Sequence, residues 1–458
     1  ISKSLTEDNT EAFLSVLCQI GALSSGAELI SNDSNFRRVL RQYAESGNLL
    51  ATKATCRLVG ALSRHIRVLG SLFASGVPKF IQKTIHVNDN EALQSVFSAI
   101  SFMCQLQACK DEMIRLGIFT LVYERMLSFA PNEGILVGYA FNSLAALVDD
   151  STSSRISHLD DAIRKSSQLL VTYHGQNPLV AANWLLLLSQ FASDNRISGM
   201  VVSSSVILAA IELMSANVGI WSEYAVSALT EFAKSRELRK ELLQCNCINM
   251  LCSNVQAQRS IGMSVKSLQA LCQLVDSEPL AKRVAGSLSG TLNELIESHL
   301  RVEEEKEHLS AVVFLLLRLT QFSSASLELL TASILVSIMS LFQMERQITG
   351  DVTTCLLVRV ISQMCQHHKK ACMQVISTKL LEVLIPKVRE RGSLQTVVAL
   401  LCATLCQDVS LHRHLLDPSI GLDRFLSIVA SDGELEGQKN ASAALAALRG
   451  GNKGSLQH

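Results

Sequence analysis

Apolar side chains recur along this chain in pairs three residues apart. The pairs are Leu17/Ile20, Val59/Leu62, Ile100/Met103, Leu144/Leu147, Leu188/Phe191, Leu229/Phe232, Leu271/Leu274, Leu316/Leu319, Ile361/Met364, Cys402/Leu405 and Leu445/Leu448. An i, i+3 spacing places both members on one face of a helix. Successive pairs stand 41 to 45 residues apart without drift. Such a period predicts an all-α solenoid of about eleven units, each burying its apolar face against its neighbours. No break in composition divides the units, so one elongated domain is expected over residues 1–448. The Gly- and Lys-containing residues 449–458 are expected to be a flexible polar tail.

The unit that opens at Gly76 shows the internal plan. Gly76-Val77-Pro78 leads into a short helix through Phe80 and Ile81, and Asn88-Asp89-Asn90 predicts a turn with Asn90 as helix cap. A long helix from Glu91 to Leu106 then carries Leu93, Val96, Phe97, Ile100 and Met103 on one face. The next glycine of the same kind is Gly117, and Ile220 to Ala233 and Gly138 to Val148 read as further long helices. Asp417 to Leu422 reads as another lead-in turn, whereas Cys245-Asn246-Cys247-Ile248 lacks the glycine. This arrangement resembles the armadillo repeat: a Gly-Val/Ile lead-in, a polar turn, then a long third helix with the core pair. Units without the glycine remain open to a HEAT-like two-helix form. The resemblance implies a right-handed superhelical α-solenoid.

Composition narrows the function. Lys plus Arg and Asp plus Glu both number 41, so no net field draws in nucleic acid or an anionic membrane. The thirteen cysteines lie mostly in apolar helical stretches, which predicts free thiols in a reducing, cytoplasmic compartment rather than disulfides. Nucleus, cilium and organelle stay open, as does a targeting segment, because the chain begins at Ile1. Apolar clusters such as Ala311 to Leu317 are too short to span a bilayer.

Cysteine and histidine cluster at Cys245/Cys247/Cys252, around Cys365, His367, His368 and Cys372, and at Cys402/Cys406 before His412 and His414. None has the paired spacing of a structural zinc site, so no metal site is expected. No nucleophile, base and orienter are marked as neighbours, so neither catalysis nor a cofactor or small-molecule substrate is expected. The acidic run Glu303-Glu304-Glu305 suits the first turn of a solvated helix reaching Leu319.

The armadillo resemblance implies that third helices line a concave groove, with the residues two before and two after the first member of each pair facing into it. The earlier position holds Arg57, Asn142, Gln269 and Arg359 among others, and the later one holds Gln190, Glu231, Gln273, Arg318 and Gln363. Import adaptors of the importin-alpha type repeat a Trp–Asn pair at these positions. Trp184 and Trp221 fall elsewhere, so import-signal binding is not expected. Basic groups at these positions are confined to Arg57, Arg318 and Arg359, which is not the lysine ladder of a beta-catenin groove. The glutamines can donate and accept hydrogen bonds to an extended backbone. The expected function is a non-enzymatic scaffold or adaptor that binds extended peptides or helices of other proteins. A structural subunit of a large assembly, ciliary or other, and an Hsp70-type chaperone cofactor are the alternatives.

Overall fold

The computed structural model describes residues 7–45, 48–129, 133–148, 155, 178–191, 204–216, 219–258, 260–299, 306–343, 352–388 and 392–454. Among these residues all regular structure is helical. The paired positions lie on eleven long helices: α1 (Glu7–Gly21), α2 (Leu49–Ser63), α3 (Asn90–Met103), α4 (Gly134–Leu147), α5 (Pro178–Phe191), α6 (Ile220–Lys234), α7 (Ile261–Leu274), α8 (Lys306–Leu319), α9 (Val352–His367), α10 (Ser393–Cys406) and α11 (Leu435–Gly454). The periodicity predicts one undivided domain, whereas the structure forms two compact units, Ile1–Cys247 and Ile248–His458. Contacts in a repeat array run between neighbours, so cohesion is local; the division falls at the junction of the two shorter helices Arg236–Gln244 and Cys247–Ala257.

In the first unit α1 to α6 pack in chain order, each long helix on the next, and in the second α7 to α11 do the same. From Val59/Leu62 to Cys402/Leu405, every paired side chain that is described is at most 1% exposed. The side chain of Phe191 lies outside the described residues. The end pairs differ. Leu17 is half-buried and Ile20 is 42% exposed, while Leu14 takes the buried place on α1. Leu445 is half-buried over a buried Leu448. Among the described residues α1 and α11 each pack on one long helix only. The last helix also runs to Gly454, past the boundary at 448 expected for the tail. Residues 455–458 and the acidic run Glu303-Glu304-Glu305 lie outside the described residues.

Two shorter helices join one long helix to the next in most described units, and in six of them the chain between reverses through a left-handed residue; between Ser24–Asn32 and Ser34–Glu45 the joining Asp33 is instead extended (φ −69°). Gly76 (φ 89°), Gly117 (φ 71°) and Gly421 (φ 66°) hold the left-handed place before Val77–Thr84, Ile118–Leu127 and Leu422–Asp432. Asn246 (φ 58°), Ser333 (φ 64°) and Lys379 (φ 55°) hold it in units that lack the glycine. The three-helix plan therefore survives loss of the glycine, at the conformational cost that a Cβ incurs there. In one unit the break is absent: Glu278–His299 runs as a single helix of 22 residues through Gly286 and Gly290, giving the two-helix, HEAT-like form.

The cap of α3 is Asp89 rather than Asn90. Its carboxylate accepts the Ala92 amide at 2.9 Å, and Lys53 Nζ approaches it at 2.8 Å. Burial opposes the charge, but the Lys53 ammonium and the Ala92 N–H outweigh it and hold the carboxyl below its usual range. An anion is favoured at this end of the helix, where backbone N–H groups lack partners, and Asn90 becomes the first helical residue. No single helix among the described residues is long and apolar enough to cross a membrane. Two pairs that reach the length together are bent by 68° and 102°.

Two experiments test these local determinants. Asp89→Ala is expected to lower the protection of α3 in hydrogen exchange by about 1 kcal/mol at neutral pH. Because the folded carboxyl titrates below its unfolded value of about 3.9, its contribution is complete above that value and is lost as pH falls through the lowered pKa. Variant and parent should therefore converge in acid. No Cβ contact would hinder alanine at either Gly117 or Gly290. Gly117→Ala is nonetheless expected to destabilise by about 1 kcal/mol, since its φ is positive. Gly290→Ala, inside a helix, should stabilise by about 0.5–1 kcal/mol. Thermal melts that showed the same sign for both would contradict this assignment.

Candidate functional site

The outward faces of successive long helices offer the largest repeated surface of each unit. A helix advances about 100° per residue, so a core pair at i and i+3 points midway between those two directions. Position i−2 then lies about 170° from the core direction, and i+2 about 130° from it. The first is fully outward. The second is on the flank, turned toward an adjacent helix.

The side chains follow this geometry. At the earlier position Arg57, Gln269, Phe314 and Arg359 are exposed, and Asn142 is half-buried. At the later position Glu231, Gln273, Arg318 and Gln363 are all half-buried, and the side chain of Gln190 lies outside the described residues. Several of these groups are engaged within the repeats. Gln363 Oε1 accepts the Thr320 hydroxyl at 2.7 Å. Arg318 Nε donates to the Val275 carbonyl at 2.7 Å, and its Nη1 donates to Gln321 Oε1 at 2.9 Å. Glu231 pairs with Lys234 at 2.7 Å, and Arg57 pairs with Glu91. Asn142 Nδ2 donates to Ser101 Oγ at 3.2 Å.

In the second unit the outward row is therefore Gln269 on α7, Phe314 on α8 and Arg359 on α9. Phe314 is 49% exposed, a large aromatic between an amide and a guanidinium. Phe314 occupies the same earlier position on its helix as Gln269 and Arg359 do on theirs. In the first unit α3 and α4 border a depression of about 550 Å³. Ser98, Ser101 and Phe102 line it from α3, and Tyr139, Asn142 and Ala146 from α4. Arg64 and Gln105 also line it. Asn142 alone among these was singled out from sequence. Tyr139 and Arg64 were missed because they lie outside the two positions considered.

The cysteines of the cysteine–histidine clusters are mostly buried, whereas His367 and His414 are exposed. Cys247, Cys252, Cys402 and Cys406 are buried, and burial pushes the Cys252 and Cys406 thiols up to about 12. His412 Nε2 donates to the Cys406 carbonyl at 2.7 Å, and His368 Nε2 to the Ser323 carbonyl at 3.1 Å. Cys372 Sγ donates to the Cys365 carbonyl at 3.3 Å. Groups committed in this way point to packing rather than to ligation.

No protein-family model matches the sequence, and no curated protein does. Solved structures do. An engineered protein of the Northeast Structural Genomics Consortium is similar with a TM-score of 0.77 at 14% identity, over 91% of this chain and 99% of that one. A structure from work on a phosphorylation switch controlling the interaction between cadherin and beta-catenin has a TM-score of 0.67 at 13% identity, over 98% of this chain and 92% of the other. At these identities the likeness is one of fold. With the three-helix units it establishes an all-α, armadillo-repeat solenoid.

The outward and flanking arginines should behave differently. Arg318→Ala removes charge-assisted bonds that tie α8 to the end of α7 and is expected to cost about 1–2 kcal/mol. Arg359→Ala, exposed, should stay within about 0.5 kcal/mol of the parent. Thermal melts of the two variants check the ordering.

Proposed function

We propose that this chain is a non-enzymatic interaction scaffold that binds extended segments of partner proteins along the outward faces of its long helices. The depression between α3 and α4 carries the proposal. Its rim offers Asn142, Gln105, Ser98 and Ser101 as neutral donors and acceptors, Arg64 as a cation, and the rings of Tyr139 and Phe102 as apolar surface. That mixture suits a peptide, whose backbone presents donors and acceptors and whose side chains need apolar contact. Concave depressions on repeat surfaces commonly serve as binding sites. The cadherin–beta-catenin interaction named for one structural neighbour is of the same general kind. A cytoplasmic setting is consistent with thirteen free thiols, ten of them buried and none paired.

The test is a photo-reactive phenylalanine analogue placed at Tyr139, at Phe314, or at the exposed Lys282 on the helix Glu278–His299. Each protein is then irradiated in native extract. A small, shared set of adducts from positions 139 and 314, absent from position 282, supports the scaffold reading. Equal labelling from all three places binding elsewhere on the molecule. Recovery of one large assembly from every position indicates a structural subunit instead.

A further inference from the structure

A second pocket lies away from every long helix, between the helices Ser34–Glu45 and Val77–Thr84 of the first unit, and encloses about 490 Å³. Arg37 and Arg41 stand four residues apart on the first helix, and Lys79 and Lys83 four apart on the second, so each pair shares a helix face. All four line this pocket and all four are exposed. We propose that the pocket docks an acidic segment of a partner protein, a site separate from the long-helix face.

Four cations converge here in a chain whose charges balance at 41 each, so the concentration is local. Like charges on one helix face repel by a few tenths of a kcal/mol per pair, so an anion beside Arg41 and Lys79 is favoured. The carboxylate that lines the pocket, Glu112, is already occupied. Arg115 holds it with Nε and Nη2, both at 2.6 Å. That pairing, first of all, keeps the Glu112 carboxyl below its ordinary range, with a smaller contribution from Lys79. Arg37 is fixed at the wall, where its Nη2 donates to the Ala74 carbonyl at 2.5 Å. Among the described residues, no carboxylate lies within ion-pair distance of Arg41 or Lys79.

The floor defines the rest of the ligand. Leu40 is 2% exposed and Phe80 3%, with Pro78 buried beside them and Phe73 half-buried. An occupant that matches both surfaces carries anionic groups next to an apolar side chain, as in an extended segment where Glu, Asp or phosphoserine alternates with Leu or Phe. A bilayer or a nucleic-acid duplex calls for cations spread over a broad surface. Here the four are gathered into one pocket, which favours a peptide.

The experiment uses the full chain and two short fluorescein-labelled peptides, one of repeating Glu-Leu-Glu and one with phosphoserine in place of Glu, read by anisotropy. At least one is expected to bind, and to weaken as salt rises. Arg41→Gln with Lys79→Gln should weaken that binding about tenfold, and Arg41→Glu with Lys79→Glu further. Lys282→Glu, on the helix Glu278–His299 of the second unit, should leave it unchanged. The glutamine variants remove like-charge repulsion, so their melts should match or exceed the parent. No binding by either peptide overturns the proposal, as does equal loss in Lys282→Glu. Tighter binding of anionic lipid vesicles or of an oligonucleotide, lost in the same double variant, also overturns it. Because Tyr139 and Phe314 take no part here, this site can fail while the long-helix site stands, and the reverse.

Discussion

The structure depends on the burial of one apolar pair between consecutive long helices. Much of the pair's shelter comes from the long helices before and after it, and shorter helices add to it, as Leu422–Asp432 does against α11. Fully burying a Leu or Ile side chain contributes about 1.5–3 kcal/mol, so each interface between long helices carries several kcal/mol. Ile20 on α1, which packs on one long helix among the described residues, is exposed in keeping with the same constraint. Polar ties at repeat spacing reinforce the stack, as where Ser143 Oγ donates to the Phe97 carbonyl at 2.8 Å or Ser264 Oγ meets His308 Nε2 at 2.9 Å.

The period, the helix class and the positions of the long helices were legible in the sequence because burial acts on each pair in the same way. The break between the two shorter helices was less legible. It is set by a backbone angle, and a glycine is one way to reach that angle. Asn246, Ser333 and Lys379 adopt it with a side chain present, so a search for glycine misses units that keep the three-helix form. Conversely, Gly286 and Gly290 sit within a continuous helix, where nothing in their composition announces that the break is gone. Asp89 displaced Asn90 as cap because Lys53, in the preceding unit, stabilises its charge, and that partner is far away in sequence.

The candidate groove was read only in part for a geometric reason. Treating positions two before and two after the core residue as equivalent ignores the second member of the pair. With the core direction set by i and i+3 together, the later position rotates onto the flank and is drawn into bonds within the repeats, as Gln363 and Arg318 are. The glutamine run that looked like a ladder for a peptide includes groups already used to join neighbouring helices. Phe314, exposed at the outward position, carries more of the available surface than any of those flanking amides.

Stability and recognition are thus assigned to different positions of the same helix. The paired residues fix the stack and are closed to a partner, whereas the outward residues contribute little to folding and are open to one. Arg359 and Gln269 can change without disturbing the helix beneath them, since the face they occupy is opposite the buried pair. The basic pocket follows the same logic on the shorter helices: Leu40 and Phe80 hold the packing, while Arg41 and Lys79 extend from it. A fold built this way retains its shape while its surface chemistry varies. Its period therefore identifies the architecture, whereas the side chains that would select a partner on the proposed reading are ones that the architecture does not need.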